Sequence, residues 1–509
     1  MRRGLVDGRV GVLADLIVVL AAVLPLIWFL VREHQIAGAP GFPLDDSWIH
    51  LHFARNLAEG AGFSYNPGVP VAGSTAPLWT LLLAAGVLIA GSSLALAKAL
   101  GVASTVAAGV LTRRAALAWG ATPLTALAAG IALVWSGPLT WGALSGMEVS
   151  LAAALVAGAL LAHAADRPQG DAPGPALIGA SRTALLAALA TLARPEAILL
   201  VPALLLAKRV DLRRLLVFVT IPALALAPFV AFCMTTVGRP LPATAAAKVQ
   251  GGLVGWLAGF SEPARTTFVE RPWTFLRDWV VWLAATHWLL PVACAAALLV
   301  LAWQRRRALV VPGLLLLAHP LAMALLAPYR GPEFQEGRYS LHLLPIALVL
   351  LAAALPRTLP RTAAALVVIY LVLALPALQP AATRYAWAVQ NINAMQVHLG
   401  HWLDRELPRD SRVAVNDIGA IAYFSRREIV DLMGLVTPAI IPYRREGEGG
   451  VMRYLAETCP DHVVIFPAWF PRLAARDDLL ETRYRVRLEH NEVSGADEMV
   501  VYRLKRCAV

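Results

Sequence analysis

A succession of apolar segments, many of them long enough to cross the hydrocarbon core of a bilayer, runs from the N-terminus of this 509-residue chain to about residue 378. The first, roughly Val10 to Val31, is longer than a signal-peptide core and has no small-residue cleavage site behind it. We interpret it as a retained spanning helix. With 58% hydrophobic residues, 15% charged residues and a mean hydropathy of +0.64, the chain is far more apolar than a soluble protein of this length. The sequence predicts a membrane α-helical bundle.

Further apolar segments follow near 76–90, 93–111, 122–135, 148–165, 182–207, 212–235, 279–303, 308–327, 339–355 and 361–378. Two stretches are ambiguous. Residues 76–111 cross the membrane once or twice, and 182–207 are interrupted by Arg194-Pro195-Glu196, which could break them into a short hairpin. We expect about 11 to 13 crossings, with an odd number placing the two chain ends on opposite sides.

The net charge of +11 comes largely from basic residues at the ends of apolar segments, such as Lys208, Arg305 to Arg307 and Arg361. This pattern is typical of short cytoplasmic loops rather than of a groove for nucleic acid. If these loops lie inside, then the loop after the first helix, the loops 236–278 and 328–338, and everything after about residue 379 lie outside. We therefore predict no nucleic-acid partner.

From about Arg384 the composition changes to that of a soluble domain. Strand-like runs (RVAV at 412, EIVDL at 428, DHVVIF at 461, RYRVRLEH at 483, EMVVYRL at 498) alternate with helical stretches at 390–405 and 450–457. We divide the chain into a membrane domain, 1–383 with a first outer loop at 32–75, and an extracytoplasmic α/β domain, 384–509. The turn NDIGA at 416 could offer backbone amides to an anion, although a turn with one glycine is more typical of ordinary structure.

The four cysteines fall into two pairs, one expected to pack in the membrane bundle and one that could form a disulfide. Cys233 and Cys294 lie within apolar segments and are interpreted as packing residues. Cys459 and Cys507 are the only cysteines after residue 384, and an oxidising compartment would permit a bridge between them. No Cys/His spacing resembles a zinc site, and we predict no metal cluster of that kind.

Two adjacent carboxylates, Asp45 and Asp46, follow the first spanning segment and start the run DDSWIHLHFARNLAEGAGFSYNPG. Read as a helix, residues 47–59 place an apolar stripe opposite His52, Arg55 and Asn56, so the helix would lie flat in the membrane interface. Such a helix is either an anchor for the loop or one wall of a site. We favour the wall, because the segment begins with paired acids.

Other candidate site residues are ionisable side chains near the predicted outer ends of apolar segments: Glu148, Arg194, Glu196, Lys248, Arg330 and Arg338. Charges at such depth are costly unless they face a cavity or one another. Arg194 and Glu196 could simply form an ion pair, and Glu148 could be an interfacial cap. Arg338 and Lys248, with Arg330 as a further cation, are better suited to bind a phosphate in an outward-opening cavity.

The first-loop run, followed by GSTAPLWTLLLA, resembles multi-spanning GT-C glycosyltransferases, in particular the actinobacterial arabinofuranosyltransferases and their bacterial relatives. Supporting motifs keep the family's order along nearly the whole chain: SGMEVSL at 145, LARPEAILL at 192, GRPLPATAAAKV at 238, EGRYSLHLLP at 336 and VAVNDIGAIAYFSRREIVDLMGLV at 413. The resemblance implies a bacterial inner-membrane enzyme that moves a sugar from a polyprenyl-phosphate donor to a glycan, glycolipid or protein acceptor.

By the same resemblance, Asp45 or Asp46 is the general base. We favour Asp45, because on a helix that starts near residue 46 it would occupy the N-cap with its carboxylate facing the cavity, although it could also be only a cap. The wall of the site would be formed by His52, Arg55, Asn56, Trp79, Glu148, Arg194 and Glu196. A lipid-phosphate donor needs no nucleotide-binding glycine motif, and the sequence contains none. No cofactor is implied, although the paired acids could hold a divalent cation. The alternatives are a transporter or flippase of lipid-linked sugars and a polysaccharide polymerase or ligase. Convergence of the acids with Arg338 or Lys248 would favour transfer, and a path through the membrane would favour transport.

Overall fold

The computed structural model describes residues 2–166, 173–249, 251–257, 259–355 and 360–507. It confirms a helical membrane bundle followed by a mixed α/β domain. The helices up to residue 392 are α1 (Arg2–Ala37), α2 (Asp46–Ala58), α3 (Pro77–Ala90), α4 (Leu94–Ala118), α5 (Pro123–Val134), α6 (Gly137–Leu144), α7 (Val149–Ala165), α8 (Pro173–Ala193), α9 (Leu200–Leu206), α10 (Leu212–Val237), α11 (Ala243–Lys248), α12 (Gly252–Leu257), α13 (Arg271–Thr286), α14 (Leu290–Trp303), α15 (Arg307–Gly313), α16 (Leu315–Leu326), α17 (Phe334–Gly337), α18 (Leu344–Ala354) and α19 (Pro360–Ile392).

The C-terminal part contains a smaller set of elements. These are α20 (His398–Glu406), β1 (Arg412–Val415), α21 (Gly419–Ser425), β2 (Glu428–Asp431), α22 (Ile441–Arg445), α23 (Glu448–Thr458), β3 (His462–Ile465), α24 (Pro471–Ala474), β4 (Leu480–Arg487) and β5 (Glu498–Leu504). All five predicted strands are present. The helix α19 passes through residue 384 without interruption, so the predicted domain boundary lies inside a continuous helix.

Judged by the length and composition of its helices, the structure has fewer membrane crossings than the sequence predicted. Among the described residues, five helical stretches are long and apolar enough to span a bilayer, and two bent helix pairs raise the number to as many as seven. The bent pairs are α5 with α6 (55°) and the stretch Thr266–Thr286 with α14 (105°). Five further apolar helices have only 10–17 residues, and the expected 11 to 13 crossings would require most of these to span as well.

The two ambiguous stretches are each divided into separate helices. Residues 76–111 contain α3 and most of α4, with a break after Ala90. The stretch 182–207 breaks at Arg194, whose backbone is extended (φ −144°, ψ 116°), and continues as a 3-10 turn, Pro195–Leu199. Because the residue before a proline avoids the α-helical region, the Arg194-Pro195 step accounts for this break.

Small residues allow the bundle helices to pack closely. The buried positions of α4, α7 and α8 are dominated by alanine and glycine, and a Cβ added at Gly101 would stand 2.1 Å from the Ala143 carbonyl oxygen. The outward faces carry exposed leucine and valine, for example Leu20 and Val219. This arrangement of small residues inside and large apolar residues outside is typical of helices packed in lipid.

The sheet of the C-terminal domain has the strand order β2-β1-β3-β5-β4. β1 is parallel to β2 and β3, whereas β5 is antiparallel to β3 and β4. Side chains alternate between two apolar layers, as the period of a strand requires. Val413 and Val415 pack on one face with Phe53 of α2, and Ala414 packs on the other face with α23.

The helix predicted at 47–59 forms as α2, but it does not lie flat in a membrane interface. Its residues from Ser47 to Asn56 are buried on all sides, because the C-terminal domain covers it. Trp48 packs against Phe42, Tyr423 and Phe424 at ring-centroid distances of 4.8–4.9 Å. The first loop and the domain therefore share one core.

The predicted bridge between Cys459 and Cys507 is confirmed. The two residues are paired with a Cα–Cα distance of 5.2 Å, and the bridge ties the C-terminal end of α23 to the chain just after β5. Cys233 and Cys294 are free and buried, as expected for packing residues.

Candidate active site

A cavity of about 910 Å³ lies between the bundle and the C-terminal domain. Its lining comes from the first loop, from the loops before α12 and around α17, and from turns of the sheet domain. The polar groups facing it are Asp45, Asp46, Lys248, Arg271, Arg330, Gln335, Arg338, Gln396, Asn416, Asp417, Arg444 and Ser494. The five residues predicted to perform catalysis or hold phosphate are all in this set.

Asp46 is the carboxylate that meets the predicted phosphate-binding cations. Arg338 Nη1 donates to Asp46 Oδ2 at 2.8 Å, and Lys248 Nζ lies 3.8 Å from the same oxygen. Burial alone would raise the pKa of Asp46, but the charges of Lys248 and Arg338 overcome that effect and hold the pKa well below its usual range. Asp46 is therefore an ionised, partly exposed carboxylate, with 26% of its side chain accessible.

Arg338 is aimed at Asp46 by an unusual turn. Gln335, Glu336 and Gly337 all have positive φ (51°, 59° and 75°), which reverses the chain just before the arginine. A Cβ at Gly337 would stand 2.3 Å from the Trp282 ring, so only glycine fits there. The guanidinium also donates to Gln335 Oε1 at 2.6 Å, which fixes it against the cavity wall.

The contacts of Asp45 differ from those that the sequence suggested. We expected it to cap α2 with its carboxylate facing the cavity, but it makes no side-chain capping bond to α2. Instead its two carboxylate oxygens accept the amides of Gly419 and Ala420, at 2.5 and 2.7 Å, at the start of α21. Asp45 thus joins the first loop to the C-terminal domain, and the turn amides at NDIGA bind an anion from the same chain.

Asp417 is a site residue that sequence reasoning missed. Its Oδ2 accepts Gln396 Nε2 at 2.7 Å, and burial raises its pKa, with the charge of Asp46 acting in the same direction. Burial likewise raises the pKa of Asp45, and the neighbouring charge of Asp417 adds to this. The signal in the sequence is the polar pair Asn416-Asp417 at the carboxyl end of β1, in the turn whose backbone amides suggested an anion site.

The two adjacent carboxylates have separate partners in the structure. Asp45 accepts two backbone amides, and Asp46 is paired with two cations. Within the described part of the chain, no group of three or more His, Cys, Asp and Glu side chains is arranged to hold a metal ion.

A buried layer of charge lies behind the cavity. Arg194 Nη1 contacts Glu148 Oε1 at 2.5 Å and Arg194 Nη2 contacts Glu196 Oε1 at 3.1 Å, so the ion pair that the sequence left open between Arg194 and Glu196 is present. Glu148 occupies the N-cap position of α7 but makes no side-chain capping bond to that helix; its other oxygen lies 3.4 Å from His50 Nε2. The arginine stacks on Tyr339, next to Arg338, so this layer supports the cavity wall.

The structure does not bring the remaining predicted wall residues to the cavity lining. His52 and Asn56 bond the Tyr65 carbonyl, and Arg55 Nη1 donates to the Tyr423 carbonyl at 2.8 Å. Trp79 is fully buried and donates to the Gly146 carbonyl at 2.9 Å. These side chains hold the first loop and the domain in place.

A second, largely apolar cavity of about 280 Å³ adjoins the first. It runs along side chains such as Leu199, Leu241 and Leu326, and the ion pair of Arg194 and Glu196 also lies in its lining. The two cavities share five lining residues: Lys248, Tyr329, Arg330, Arg338 and Tyr339. The cations therefore stand where a polar chamber meets an apolar one, which suits a ligand with a charged head and a hydrocarbon tail.

Solved structures with a similar fold share this combination of a helical bundle and a C-terminal domain. ArnT from Cupriavidus metallidurans matches with a TM-score of 0.57 at 13% identity, covering 95% of this chain and 97% of ArnT. The fold of this chain is therefore similar to that of ArnT over nearly its whole length. The Archaeoglobus fulgidus oligosaccharyltransferase matches with a TM-score of 0.57 at 13% identity, over 87% of this chain and 67% of that one.

Two of these similar structures contain lipid phosphates. ArnT has been solved bound to undecaprenyl phosphate, at 12% identity and a TM-score of 0.57 over the same shares of the two chains. The Archaeoglobus oligosaccharyltransferase AglB has been solved with an inhibitory peptide and a dolichol-phosphate; it matches at 12% identity with a TM-score of 0.56, over 87% of this chain and 69% of AglB.

Sequence comparisons reach less far than the fold. Residues 388–502 match a family described as a domain of unknown function (DUF8728), which begins inside α19 and ends in β5. No curated protein matches the sequence.

Proposed function

We propose that this protein is an integral-membrane glycosyltransferase that moves a sugar from a polyprenyl-phosphate donor to a glycan, glycolipid or protein acceptor. The observation that carries the proposal is the position of Lys248, Arg330 and Arg338 at the junction of the polar and apolar cavities. A lipid-phosphate sugar has a hydrocarbon chain, an anionic phosphate and a sugar in this order, and the two cavities offer matching surroundings in the same order.

Arg338 and Lys248 bind the phosphate in this proposal, with Arg330 as a further cation. Arginine's planar fork suits two phosphate oxygens, and the ammonium of lysine adds a point charge. During transfer the bond between the anomeric carbon and the phosphate oxygen breaks, and its electron pair leaves with the phosphate. Fixed cations at that oxygen stabilise the departing charge without reorganisation.

Asp46 is the base that removes the proton from the acceptor hydroxyl as its oxygen attacks the anomeric carbon. In the structure the two cations pair with Asp46 and hold its pKa low. A bound phosphate competes for the same two cations, so donor binding raises the pKa of Asp46 and makes it a better proton acceptor. Lys248 and Arg338 thus pair with Asp46 before the donor binds and with the phosphate afterwards.

The site faces the extracytoplasmic side in this proposal. The basic loops at Arg305 to Arg307 and Arg361 are assigned to the cytoplasm by the positive-inside rule. The bridge between Cys459 and Cys507 agrees, because disulfides persist in oxidising compartments. We infer a multi-pass protein of a bacterial inner membrane.

A transfer assay with purified protein in nanodiscs tests the function. The donors are polyprenyl phosphates that carry different sugars, including arabinofuranose, the sugar of the enzymes that the sequence resembles. The acceptors are glycans that mass analysis of a deletion strain shows to be altered. We expect one donor to lose its sugar to the acceptor without any nucleotide sugar. Flipping of the intact donor across the bilayer, with no transfer, would instead establish the flippase alternative.

A further inference from the structure

The side chain of Trp469 is unusually exposed for a large hydrophobic residue of the C-terminal domain. Trp469 is 42% exposed, and it is the only large hydrophobic residue of the described part of the domain that is so exposed; the others lie at or before Leu375. A tryptophan left open to solvent at this position requires an explanation, since large aromatic surfaces in water usually mark contact sites.

The ring of Trp469 is held rigidly. Its Nε1 donates to the Gly495 carbonyl at 2.9 Å, and the Phe466 ring lies 5.3 Å away between centroids. A Cβ at Gly495 would stand 2.6 Å from Trp469 Cζ2, so glycine lets the chain run close beside the ring. The orientation of the indole is therefore set before any ligand arrives.

Trp469 stands between two spaces. It lines the 910 Å³ cavity that contains Asp46, and it also lines a smaller cavity of about 270 Å³ on the C-terminal domain. Met433 and Arg444 line both as well, and Arg444 Nη1 donates to the Met433 carbonyl at 2.5 Å. We call the smaller cavity, with Met433, Arg444, Glu448, Val451, Trp469 and Phe470, the Trp469 groove.

We propose that the Trp469 groove is an acceptor subsite that binds a sugar unit of a carbohydrate acceptor next to the unit that is glycosylated. This inference rests on the proposed function and names its acceptor class as carbohydrate. A sugar ring has an apolar C–H face, which stacks on a fixed indole, and a rim of hydroxyls, which a guanidinium and a carboxylate can bond. Arg444 and Glu448 supply these two groups, each already held by one backbone contact, Arg444 to the Met433 carbonyl and Glu448 Oε1 to the Leu473 amide. A hydrocarbon chain would require neither group.

The Trp469 groove adjoins the large cavity, so an acceptor chain could extend from one into the other. Asp46 accepts the proton inside the large cavity, and the groove continues from that cavity over the domain. A glycan whose end hydroxyl reaches Asp46 would therefore pass Trp469 with its next units. We expect affinity to rise with acceptor length until the groove is filled.

Sugar binding by the full-length protein in nanodiscs tests the proposal without requiring catalysis. Probes are linear gluco-, galacto-, manno- and arabino-oligosaccharides of increasing length, followed by saturation-transfer NMR. We expect one oligosaccharide series to bind more tightly as its length increases. Trp469→Ala should weaken the affinity for that series about tenfold or more, and Trp469→Phe should retain part of the affinity. Trp273→Ala is the matched control, because Trp273 is 67% exposed and lines neither cavity.

Three outcomes would overturn the proposal. They are no binding of any series by the unchanged protein, equal binding by Trp469→Ala, and an equal loss in Trp273→Ala, which would indicate a general interfacial anchor. In the transfer assay, Trp469→Ala should raise the acceptor KM about tenfold and leave kcat and the donor KM unchanged. If the unchanged protein transfers no sugar yet binds oligosaccharides through Trp469, the proposed function fails and the groove remains a carbohydrate site.

Discussion

At the scale of single residues, the two adjacent aspartates have opposite tasks. Both line the cavity, but Asp46 pairs with Arg338 and Lys248, whereas Asp45 is buried and accepts two amides at the start of α21. Neighbours on a chain point in different directions at a helix start, so adjacency in sequence does not imply a shared function. The structure thus separates a carboxylate that is paired with cations in the cavity from one that docks the C-terminal domain.

Asp46→Asn should slow sugar transfer by a factor of about 100 or more while folding is retained, because the amide keeps the size but cannot accept the proton. Asp45→Asn should instead lower thermal stability. An amide offers only one oxygen to the two N–H groups of α21, and a buried donor without a partner costs about 1–3 kcal/mol. Turnover and melting temperature of both purified variants check this; near-normal turnover in Asp46→Asn would remove the acid–base mechanism.

Arg338→Lys should weaken donor binding about tenfold, because the charge remains but the two-pronged contact with phosphate is lost. The measurement is titration with a polyprenyl phosphate. Arg384→Lys is the matched control, since Arg384 pairs with Glu336 beside the same turn but does not line the cavity. Unchanged affinity in Arg338→Ala would move the phosphate to Lys248 or Arg330.

At the scale of elements, the contact between α2 and the turn that opens α21 holds the site together. The helix supplies both aspartates at its start, and the turn supplies Asp417 and the amides that bind Asp45. The carboxyl groups of Asp45 and Asp417 lie together in a buried setting that raises both pKa values. This element contact should therefore respond to pH.

Asp417→Asn should make stability less dependent on pH. In the folded protein the raised pKa of Asp417 retains a proton that the unfolded chain releases near pH 4, so the folded state binds more protons and stability falls as pH rises from about 4 to the folded pKa. An asparagine is neutral throughout and removes this decline. The melting temperature at pH 7 should rise relative to the unchanged protein and match it at pH 4; an identical slope in both proteins would contradict the assignment.

At the scale of the whole molecule, the site exists only where two parts of the chain meet. The bundle supplies Lys248 and Arg338, the first loop supplies Asp46, and the C-terminal domain supplies Asp417 and Trp469. The α/β domain thus completes the cavity. A chain that ended after α19 would lack one whole wall of it.

A reporter fused after Val509 should be active on the extracytoplasmic side, because the alternation of basic loops back from Arg361 places the C-terminal domain there. Paired fusions of alkaline phosphatase and a cytoplasmic fluorescent protein measure this. Activity only in the cytoplasmic fusion would place the cavity on the wrong side for the proposed donor and acceptor.

The sequence by itself determined the membrane bundle and the strands of the C-terminal domain, and it singled out Cys459 with Cys507 and the cations Lys248, Arg330 and Arg338 as candidates. Hydropathy, strand periodicity and spacing are local properties, and they survive folding unchanged. Only the tertiary structure decided which aspartate pairs with the cations, that Asp417 joins the cavity lining, and that His52, Arg55, Asn56 and Trp79 lie elsewhere. These facts depend on contacts between residues hundreds of positions apart, such as Arg338 with Asp46 and Gly419 with Asp45, at separations of 292 and 374 residues. A single sequence carries no pattern that pairs such distant positions.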